Sequence, residues 1–184
     1  MQGAHNILDY GAVAGSDENT TNAFTNADAM TQAIIAANSS AEGDRTVLIP
    51  QGSNFVMMPI KIAELNNINF QIDGNVYASQ DYQNWNFSGG CYWSFWEIND
   101  SQNLTFTGTG VVDGQGYWWW MREYLILNKG RRPYLVVMNR VKGAYFSGVK
   151  WQNSPSYHLK FDDVEDFVLE NFEIYVDAFQ QQKL

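Results

Sequence analysis

The chain is poor in the residues that build disulfide scaffolds, metal centres and membrane spans. Its 184 residues include one cysteine, Cys91, and two histidines, His5 and His158. A single cysteine cannot form a disulfide within the chain, and these three side chains are too far apart in sequence for metal-ligand spacing. No apolar run approaches the roughly 18 residues that a membrane-spanning helix needs. We therefore expect no metal, no cofactor and no membrane partner, and we expect Cys91 to be a small core residue.

Basic residues are also scarce, and they are unevenly distributed. The chain has 11 Lys and Arg against 20 Asp and Glu, for a formal net charge of −9. Residues 122–160 have a net charge of +7, between residues 1–121 at −10 and residues 161–184 at −6. A basic band in an acidic protein indicates either a site for an anionic ligand or a solvated edge that keeps sheets apart. We expect no nucleic-acid partner.

The rest of the composition is that of a globular protein. Hydrophobic residues make up 45% of the chain and charged residues 17%, which suits one packed domain over residues 1–184.

Between residues 28 and 38 the apolar positions follow helical spacing after a capping aspartate, Asp28. The sequence predicts a single helix, over about 28–38.

Glycine is concentrated in residues 108–116, where four glycines mark tight backbone corners. This stretch belongs to a repeat. Alternating strands, each followed by a Gly or Asn corner and a second short strand, begin near residues 65, 101, 141 and 164. The repeat predicts an all-β protein, a parallel β-helix with coils over about 45–177 and the helix as a cap on its open N-terminal end. A β-sandwich is the alternative fold, but no two-residue Asn-Gly or Asp-Gly turn joins two clean alternating strands.

Several motifs in order and at consistent spacing resemble the polygalacturonase family of glycoside hydrolases. They are NILDYGA (6–12), DGNVYASQDYQNW (73–85), GTGVVDGQGYWW (108–119), RRPYLV (131–136), NSPSYHL (153–159) and FVLENFEI (167–174). The resemblance spans roughly residues 5–177. It implies a right-handed parallel β-helix, and it implies hydrolysis of α-1,4 links between galacturonic acid units of pectin, with inversion.

The resemblance does not extend to the family's catalytic residues. An inverting glycosidase uses two carboxyl groups roughly 6.5–9.5 Å apart. In the family these come from an Asn-Thr-Asp segment and an Asp-Asp pair on successive coils, followed by Gly-His-Gly and Arg-Ile-Lys. None of the four motifs is matched here, so we assign no catalytic residue and expect a truncated, N-terminal part of such an enzyme that is inactive alone. Asp162 and Asp163 are interpreted as a turn, and Asp177 as a tail residue.

Six residues are candidates for substrate contact. A tryptophan can form a platform for sugar rings, and an arginine can form a bidentate pair with a uronate carboxylate. In an extended chain Trp118 and Trp120 would share a face opposite Trp119. The alternatives are a hydrogen bond to a neighbouring coil for the histidine, a surface role for the arginines and packing for the tryptophans. The candidates are His158, Tyr157, Arg131, Arg132, Trp118 and Trp120.

Three functions remain open at this point. The first is that the chain is part of a pectin-degrading glycosidase. The second is a non-catalytic β-helix that binds carbohydrate or serves as a structural element. The third is a pectate-lyase-like enzyme that uses calcium, and the motifs argue against this third function. The resemblance implies an acidic polysaccharide as partner and a secreted protein, although no signal peptide precedes residues 6–11. We also expect self-association or a partner chain at an exposed C-terminal coil, residues 167–174, because an open solenoid end leaves strand edges unpaired.

Overall fold

A computed structural model describes residues 3–16 and 20–178. Helix α1 spans Ala23–Ser39 and helix α2 spans Tyr117–Tyr124. The strands are β1 (Ala4–Asn6), β2 (Thr46–Ile49), β3 (Asn54–Met57), β4 (Ile60–Ala63), β5 (Asn66–Ile72), β6 (Asn75–Ala78), β7 (Phe87–Ser88), β8 (Cys91–Tyr92), β9 (Trp96–Thr107), β10 (Val111–Asp113), β11 (Val136–Ser147), β12 (Lys150–Gln152), β13 (Leu159–Glu170) and β14 (Glu173–Tyr175). No helix in this described part is long and apolar enough to cross a membrane.

The strands form two parallel sheets that the chain visits in turn. The first sheet has the order β1-β2-β5-β9-β11-β13, with β4 also paired to β9, and the second has the order β14-β12-β10-β6-β3. From β2 onward each coil therefore contributes to both sheets, with β4 and β5 of one coil both in the first sheet, and climbs by one strand spacing, roughly 4.8 Å. A separate antiparallel hairpin, β7–β8, lies outside both sheets. The predicted right-handed parallel β-helix is confirmed.

The core is a stack of identical or similar side chains contributed by successive coils. Phe70, Phe106 and Phe146 lie in register on β5, β9 and β11. Their rings stack nearly parallel, with centroids 4.7 Å and 4.5 Å apart. Trp151 on β12 closes the stack edge-on, 5.7 Å from the Phe146 ring. Each such aromatic pair contributes about 0.5–1.5 kcal/mol beyond the area that it buries.

Two rows of residues with a left-handed backbone conformation (positive φ) form the corners at which each long strand of the first sheet bends. Glu64, Asp100, Arg140 and Asp163 form the first row, with φ between 48° and 58°. Asn67, Asn103, Gly143 and Asp166 form the second row. Asn, Asp and Gly adopt this conformation at low cost, and Asn103 Nδ2 also donates to Asn67 Oδ1 at 2.9 Å on the adjacent coil. The structure thus places Asp163 at the corner that the sequence predicts.

The N-terminal cap is larger than the sequence predicts. Helix α1 begins at Ala23 rather than near Asp28, which is an exposed residue inside the helix and not its cap. The polar stretch before residue 28 is helical because Asn26 is buried and anchors the helix. Its Nδ2 donates to Val13 O at 3.0 Å and to Val56 O at 2.9 Å. The coils also begin before residue 45, because β1 pairs in parallel with β2.

Two further expectations about local structure are wrong. Residues 117–124 form helix α2 and not an extended run, so Trp118 and Trp120 do not share a face. Trp119 is the tryptophan that packs inward, and its side chain is fully buried. Cys91 is not a core residue, because β8 belongs to the surface hairpin and leaves the cysteine half-buried.

Candidate functional site

The outer face of the first sheet forms the floor of a groove. The leading halves of β4, β9, β11 and β13 alternate between residues that face the core and residues that face outward. Register places one outward row, formed by Lys61, Glu97, Val137 and Lys160, across these four strands. A second outward row contains Asn99 and Asn139, whose side chains hydrogen-bond at 2.7 Å. The floor is therefore polar and charged.

Two long connections form the walls of this groove. Residues 79–95, which include the β7–β8 hairpin, precede β9, and residues 114–135, which include α2, precede β11. Trp119 joins the two connections. Its ring makes edge contacts with Tyr82 at 5.0 Å, Trp85 at 5.4 Å and Tyr92 at 4.8 Å between centroids. These aromatic contacts fix the position of one wall relative to the other.

The groove has a volume of about 240 Å³ and a basic lining, in which Arg132 also lies 3.6 Å from Glu123 and Lys160 lies 3.5 Å from Asp162. Its lining includes four basic side chains, those of Lys61, Arg131, Arg132 and Lys160. Glu97 is the one carboxylate among these lining residues. In a chain with a formal net charge of −9, this local excess of positive charge attracts an anionic ligand. Three of the four cations, Arg131, Arg132 and Lys160, belong to the basic band at residues 122–160.

The two arginines are held by backbone and side-chain contacts at the groove wall. Arg131 pairs with the β7–β8 hairpin, donating its N–H to Gly90 O and accepting from Tyr92 N, each at 3.0 Å. Its Nη2 donates to Cys91 Sγ at 3.2 Å, and this bond, with a contribution from Tyr134, raises the pKa of the guanidinium. Arg132 Nη1 donates to Pro155 O at 2.7 Å. Both guanidinium groups are thereby oriented before any ligand binds.

Lys61 is positioned by one acidic and one aromatic neighbour. Its Nζ lies 3.1 Å from Glu97 Oε1 and 4.6 Å from the centre of the Trp93 ring. Trp93 also lines the groove, together with Tyr92 and Tyr134. Aromatic faces beside cations suit a sugar that bears a carboxylate, since the ring can stack while the carboxylate pairs with the cation.

Among the residues that line the groove, a single side chain, Glu97, bears a carboxyl group. Hydrolysis with inversion requires a general acid and a general base on opposite sides of the bond. The single lining carboxylate, Glu97, is engaged by Lys61. The described part of the chain also holds no group of three His, Cys, Asp or Glu side chains arranged to bind a metal ion. What this arrangement can do chemically is bind and orient an anion.

The six residues singled out from the sequence lie in different places. Arg131 and Arg132 line the groove. Tyr157 is 67% exposed and contacts the groove residue Tyr134, with ring centroids 5.6 Å apart. His158 Nε2 accepts from Ser154 N at 3.3 Å, and burial lowers the pKa of its imidazole. Its ring is thus held within the turn that precedes β13 rather than in the groove lining.

The two tryptophan candidates lie outside the groove lining. Trp118 is 40% exposed and contacts Tyr117 edge-on, at 5.6 Å between centroids. Trp120 is half-buried, and its Nε1 donates to Ser154 O at 3.0 Å. Trp120 therefore ties α2 to the next coil.

The glycine-rich motif at residues 108–116 clamps two coils together. Asp113 is buried, and its Oδ2 accepts from Gln152 Nε2 at 2.7 Å and from Asn153 Nδ2 at 3.0 Å. A Cβ at Gly116 would lie 2.6 Å from the backbone oxygens of Asn153 and Ser154, so only glycine allows this approach. The motif positions α2, and with it one groove wall.

Sequence reasoning did not find Lys61, Glu97 and Lys160. The repeat that is visible in the sequence begins near residues 65, 101, 141 and 164, and these three residues lie just before it. The signal that could have found them is the alternation in the residues just before each repeat, where three of the four outward positions in one row hold charged side chains.

Comparison with known proteins agrees with this architecture. A family model described as glycosyl hydrolases family 28 matches residues 40–181. Exopolygalacturonase A of Aspergillus niger is 29% identical over 153 residues, which cover 79% of this chain and 35% of that protein. An exopolygalacturonase of Platanus acerifolia is 30% identical over 176 residues, covering 90% of this chain and 41% of that protein. The chain spans about one third of the length of the first of these relatives.

Solved structures show the same fold. The exopolygalacturonase from Thermotoga maritima superposes with a TM-score of 0.70 at 21% identity, covering 96% of this chain and 47% of that one. The polygalacturonase from Erwinia carotovora ssp. carotovora gives a TM-score of 0.67 at 19% identity, covering 90% and 47%. With the family match extending over most of the coils, the chain belongs to family 28 of the glycosyl hydrolases.

Proposed function

We propose that the groove binds a polyuronate of the pectin type and that this chain supplies the binding wall of a polygalacturonase-like hydrolase. The observation on which this rests is the composition of the groove lining, four cations and one carboxylate contributed by the parallel strands and by the connection that precedes β11. The names of the relatives, polygalacturonase and exopolygalacturonase, support the same substrate class.

The distribution of charge favours a linear acidic polymer over a small anion. Lys61 and Lys160 lie on β4 and β13, separated in the sheet by β9 and β11. Three strand spacings of roughly 4.8 Å separate them. Cations spread along the coil axis suit an extended chain whose sugar units each bear a carboxylate. The aromatic ring of Trp93 beside Lys61 offers a face for one of these sugars.

We propose further that residues 1–184 bind the polymer without cleaving it. Glu97 alone does not provide the two carboxyl groups that inversion requires, and its side chain is engaged in an ion pair with Lys61. A non-catalytic carbohydrate-binding role is the alternative, and it shares the same groove. Because pectin lies in cell walls, the proposal includes secretion, which is checked by fractionating a native culture into cells and medium.

Binding is tested by calorimetric titration of the protein with trigalacturonate and, as a neutral control, with a galactose trisaccharide. We expect saturable binding of the uronate. This binding should weaken as salt is added, because salt screens the ion pairs between the uronate carboxylates and the partly exposed cations of the groove. The double variant Arg131→Ala/Arg132→Ala should weaken binding by at least about tenfold, which corresponds to ~1.4 kcal/mol. Lys129→Ala provides a matched control, since Lys129 is an exposed cation of the same segment outside the groove lining.

Equal affinity for the neutral trisaccharide would contradict the polyuronate assignment. A reducing-sugar assay on polygalacturonate is run with the same preparation. Release of reducing ends by this chain alone would contradict the non-cleaving part of the proposal and leave the binding part intact.

A further inference from the structure

We infer that Asn86 accepts an N-linked glycan when this chain passes through a eukaryotic secretory pathway, and that Asn38, Asn99 and Asn103 do not. This modification shares with the proposed function only the secretory route and does not depend on polyuronate binding. It is supported by the acceptor motif in the sequence, by the use that the fold makes of each asparagine side chain, and by the place of Asn86 at the surface.

The acceptor motif occurs several times in the chain. An asparagine, any residue except proline, and then serine or threonine form the motif for N-linked glycans. Five such motifs are present, and the one at Asn19 lies outside the described residues. A glycan is bulky and belongs at the surface, so the fold selects among the others. These begin at Asn38, Asn86, Asn99 and Asn103.

Asn38 is used to hold the N-terminal cap. It lies near the end of α1, and its amide ties the helix to the junction of β4 and β5. Its Nδ2 donates to Glu64 O at 3.1 Å, and its Oδ1 accepts from Asn66 N at 3.0 Å. A glycan on Nδ2 would place a bulky group between the helix and the first sheet.

Asn99 and Asn103 are used where coils stack. Asn99 Oδ1 accepts from Asn139 Nδ2 at 2.7 Å on the floor of the groove. Asn103 belongs to the second corner row, where its Nδ2 donates to Asn67 Oδ1 at 2.9 Å. On its other side, a Cβ at Gly143 would lie only 2.8 Å from Asn103 Oδ1. A glycan on Asn99 would obstruct the groove floor, and one on Asn103 would separate neighbouring coils.

Asn86 differs from these three asparagines. It is exposed and comes immediately before β7, in the antiparallel hairpin that lies outside both sheets. Among residues 3–16 and 20–178, its side-chain amide has no hydrogen-bond partner. Its backbone alone is engaged, with Asn86 O accepting from Trp93 N at 2.9 Å. A glycan here would therefore displace no contact of the fold.

The backbone on both sides of Asn86 is held in place. Trp85 is buried, and its Nε1 donates to Trp93 O at 2.8 Å. Phe87 packs edge-on against Tyr92, with ring centroids 4.9 Å apart. The fold thus presents Asn86 at a defined point of the surface while leaving its amide free for modification.

Asn86 also lies away from the groove and from the later coils. It is β8, and not β7, that meets the connection leading to β11, through a parallel bridge between Cys91 and Arg131. Ser88, the hydroxyl residue of the motif, lines the groove, but Asn86 does not. A glycan on Asn86 would therefore leave the groove open.

The transfer forms one bond and breaks one. Asn86 Nδ2 bonds to the anomeric carbon of a glycan that the secretory pathway supplies on a lipid diphosphate. The bond between that carbon and the diphosphate oxygen breaks, and the lipid diphosphate leaves with the electron pair. One of the two Nδ2 protons passes to a base of the transferase, and the second remains on the amide.

The test secretes residues 1–184 from a yeast host behind a cleavable leader, with Asn19→Gln in every variant so that only the described motifs report. Enzymatic release of glycans converts each modified asparagine to aspartate, which peptide mass spectrometry locates. We expect this conversion at Asn86 alone, and a single glycan step in gel mobility. Asn86→Gln and Ser88→Ala should each lose that step, and Ser88→Thr should keep it. Asn84→Gln is the matched control, because Asn84 is an exposed asparagine of the same segment outside any motif.

Unmodified Asn86 in the secreted protein would overturn the site. Glycans on Asn38, Asn99 or Asn103 in secreted protein with the native circular dichroism spectrum would overturn selection by the fold. The glycosylated protein and Asn86→Gln should bind trigalacturonate with the same affinity. Failure of both to bind would contradict the proposed function and leave the glycan site intact.

Discussion

Glu97 on β9 lies directly opposite Lys61 on the paired strand β4, and the 3.1 Å contact between Glu97 Oε1 and Lys61 Nζ lies on the floor of the groove. The pair is partly buried, with 19% of the Glu97 side chain exposed. Glu97 therefore restrains the Lys61 ammonium and offsets part of its charge. The relationship makes Glu97 a determinant of how strongly the groove attracts an anion.

Replacing Glu97 with Gln should increase affinity for trigalacturonate. The change removes the carboxylate that repels the ligand while keeping the size of the side chain, and it leaves Lys61 free to pair with a uronate. We expect a gain of about twofold to fivefold for Glu97→Gln, within the range of partly exposed ion pairs, and a comparable loss for Lys61→Ala. Calorimetric titration measures both. Weaker binding by Glu97→Gln would show that the ligand requires this carboxylate as an acceptor.

Trp119 should be the tryptophan of α2 that matters most for stability. Its buried ring contacts Tyr82, Trp85 and Tyr92, so Trp119→Ala opens a large cavity between the two groove walls. The expected loss is about 3–5 kcal/mol in the free energy of unfolding, measured by urea denaturation. Trp118→Ala is the matched control, because that side chain is 40% exposed, and it should cost under about 1 kcal/mol. Equal losses for the two variants would refute the assignment of Trp119 as the anchor.

Gly116 should not tolerate alanine. The new Cβ would lie 2.6 Å from the backbone oxygens of Asn153 and Ser154, and these oxygens accept hydrogen bonds from Gly116 N and Trp120 Nε1. We expect Gly116→Ala to destabilise the protein by about 1–3 kcal/mol, as overpacking does. Gly43→Ala is the comparison, since nothing lies within 4 Å of a Cβ at that position, and its effect should be neutral or slightly stabilising. Thermal unfolding of the two variants provides the measurement, and equal melting temperatures would contradict the expectation.

His158 should make stability fall as the pH is lowered through the region just below 6.5. Burial lowers the pKa of the folded-state imidazole from its ordinary value of 6.5, with an opposing effect from a hydrogen bond to the Tyr175 backbone. Between the folded and unfolded pKa values the unfolded chain binds more protons, so acid favours unfolding there. Above about pH 6.5 this contribution is constant. Melting temperatures at pH 7.5 and 5.5 should differ more for the native chain than for His158→Gln. Identical differences would rule out a contribution from this group.

The coils could be predicted from the sequence because their corners impose strict residue preferences. Asn67, Asn103 and Gly143 occupy one left-handed row, and few other residues adopt that conformation at low cost. Alternation of apolar residues between such corners leaves little choice of strand register. Resemblance then supplied the handedness. These constraints are local, and local constraints can be read from a short stretch of chain.

The groove could not be predicted in the same way. Lys61, Glu97 and Lys160 become neighbours only when successive coils stack, and the long connections between coils hide their common spacing. Helix α2 was missed because its run of aromatic residues has no apolar–polar period to indicate a helix. The early start of α1 was missed because the amide of Asn26 is buried through specific backbone contacts. Each of these depends on tertiary structure.

The long connections also have a consequence for how such a protein can change. Four connections lead from the second sheet back to the first, and they differ widely in length. They are residues 58–59 after β3, 79–95 after β6, 114–135 after β10 and 153–158 after β12. Most of the variation in coil length thus falls at one corner, because the connections from the first sheet to the second are only two to four residues long and the corners within the strands keep their stacked rows. Loops can be lengthened, shortened or exchanged there without altering the register of the core. Ligand preference and strand register are therefore separable properties of this scaffold, provided that buried side chains of the connections, such as Trp119, are kept.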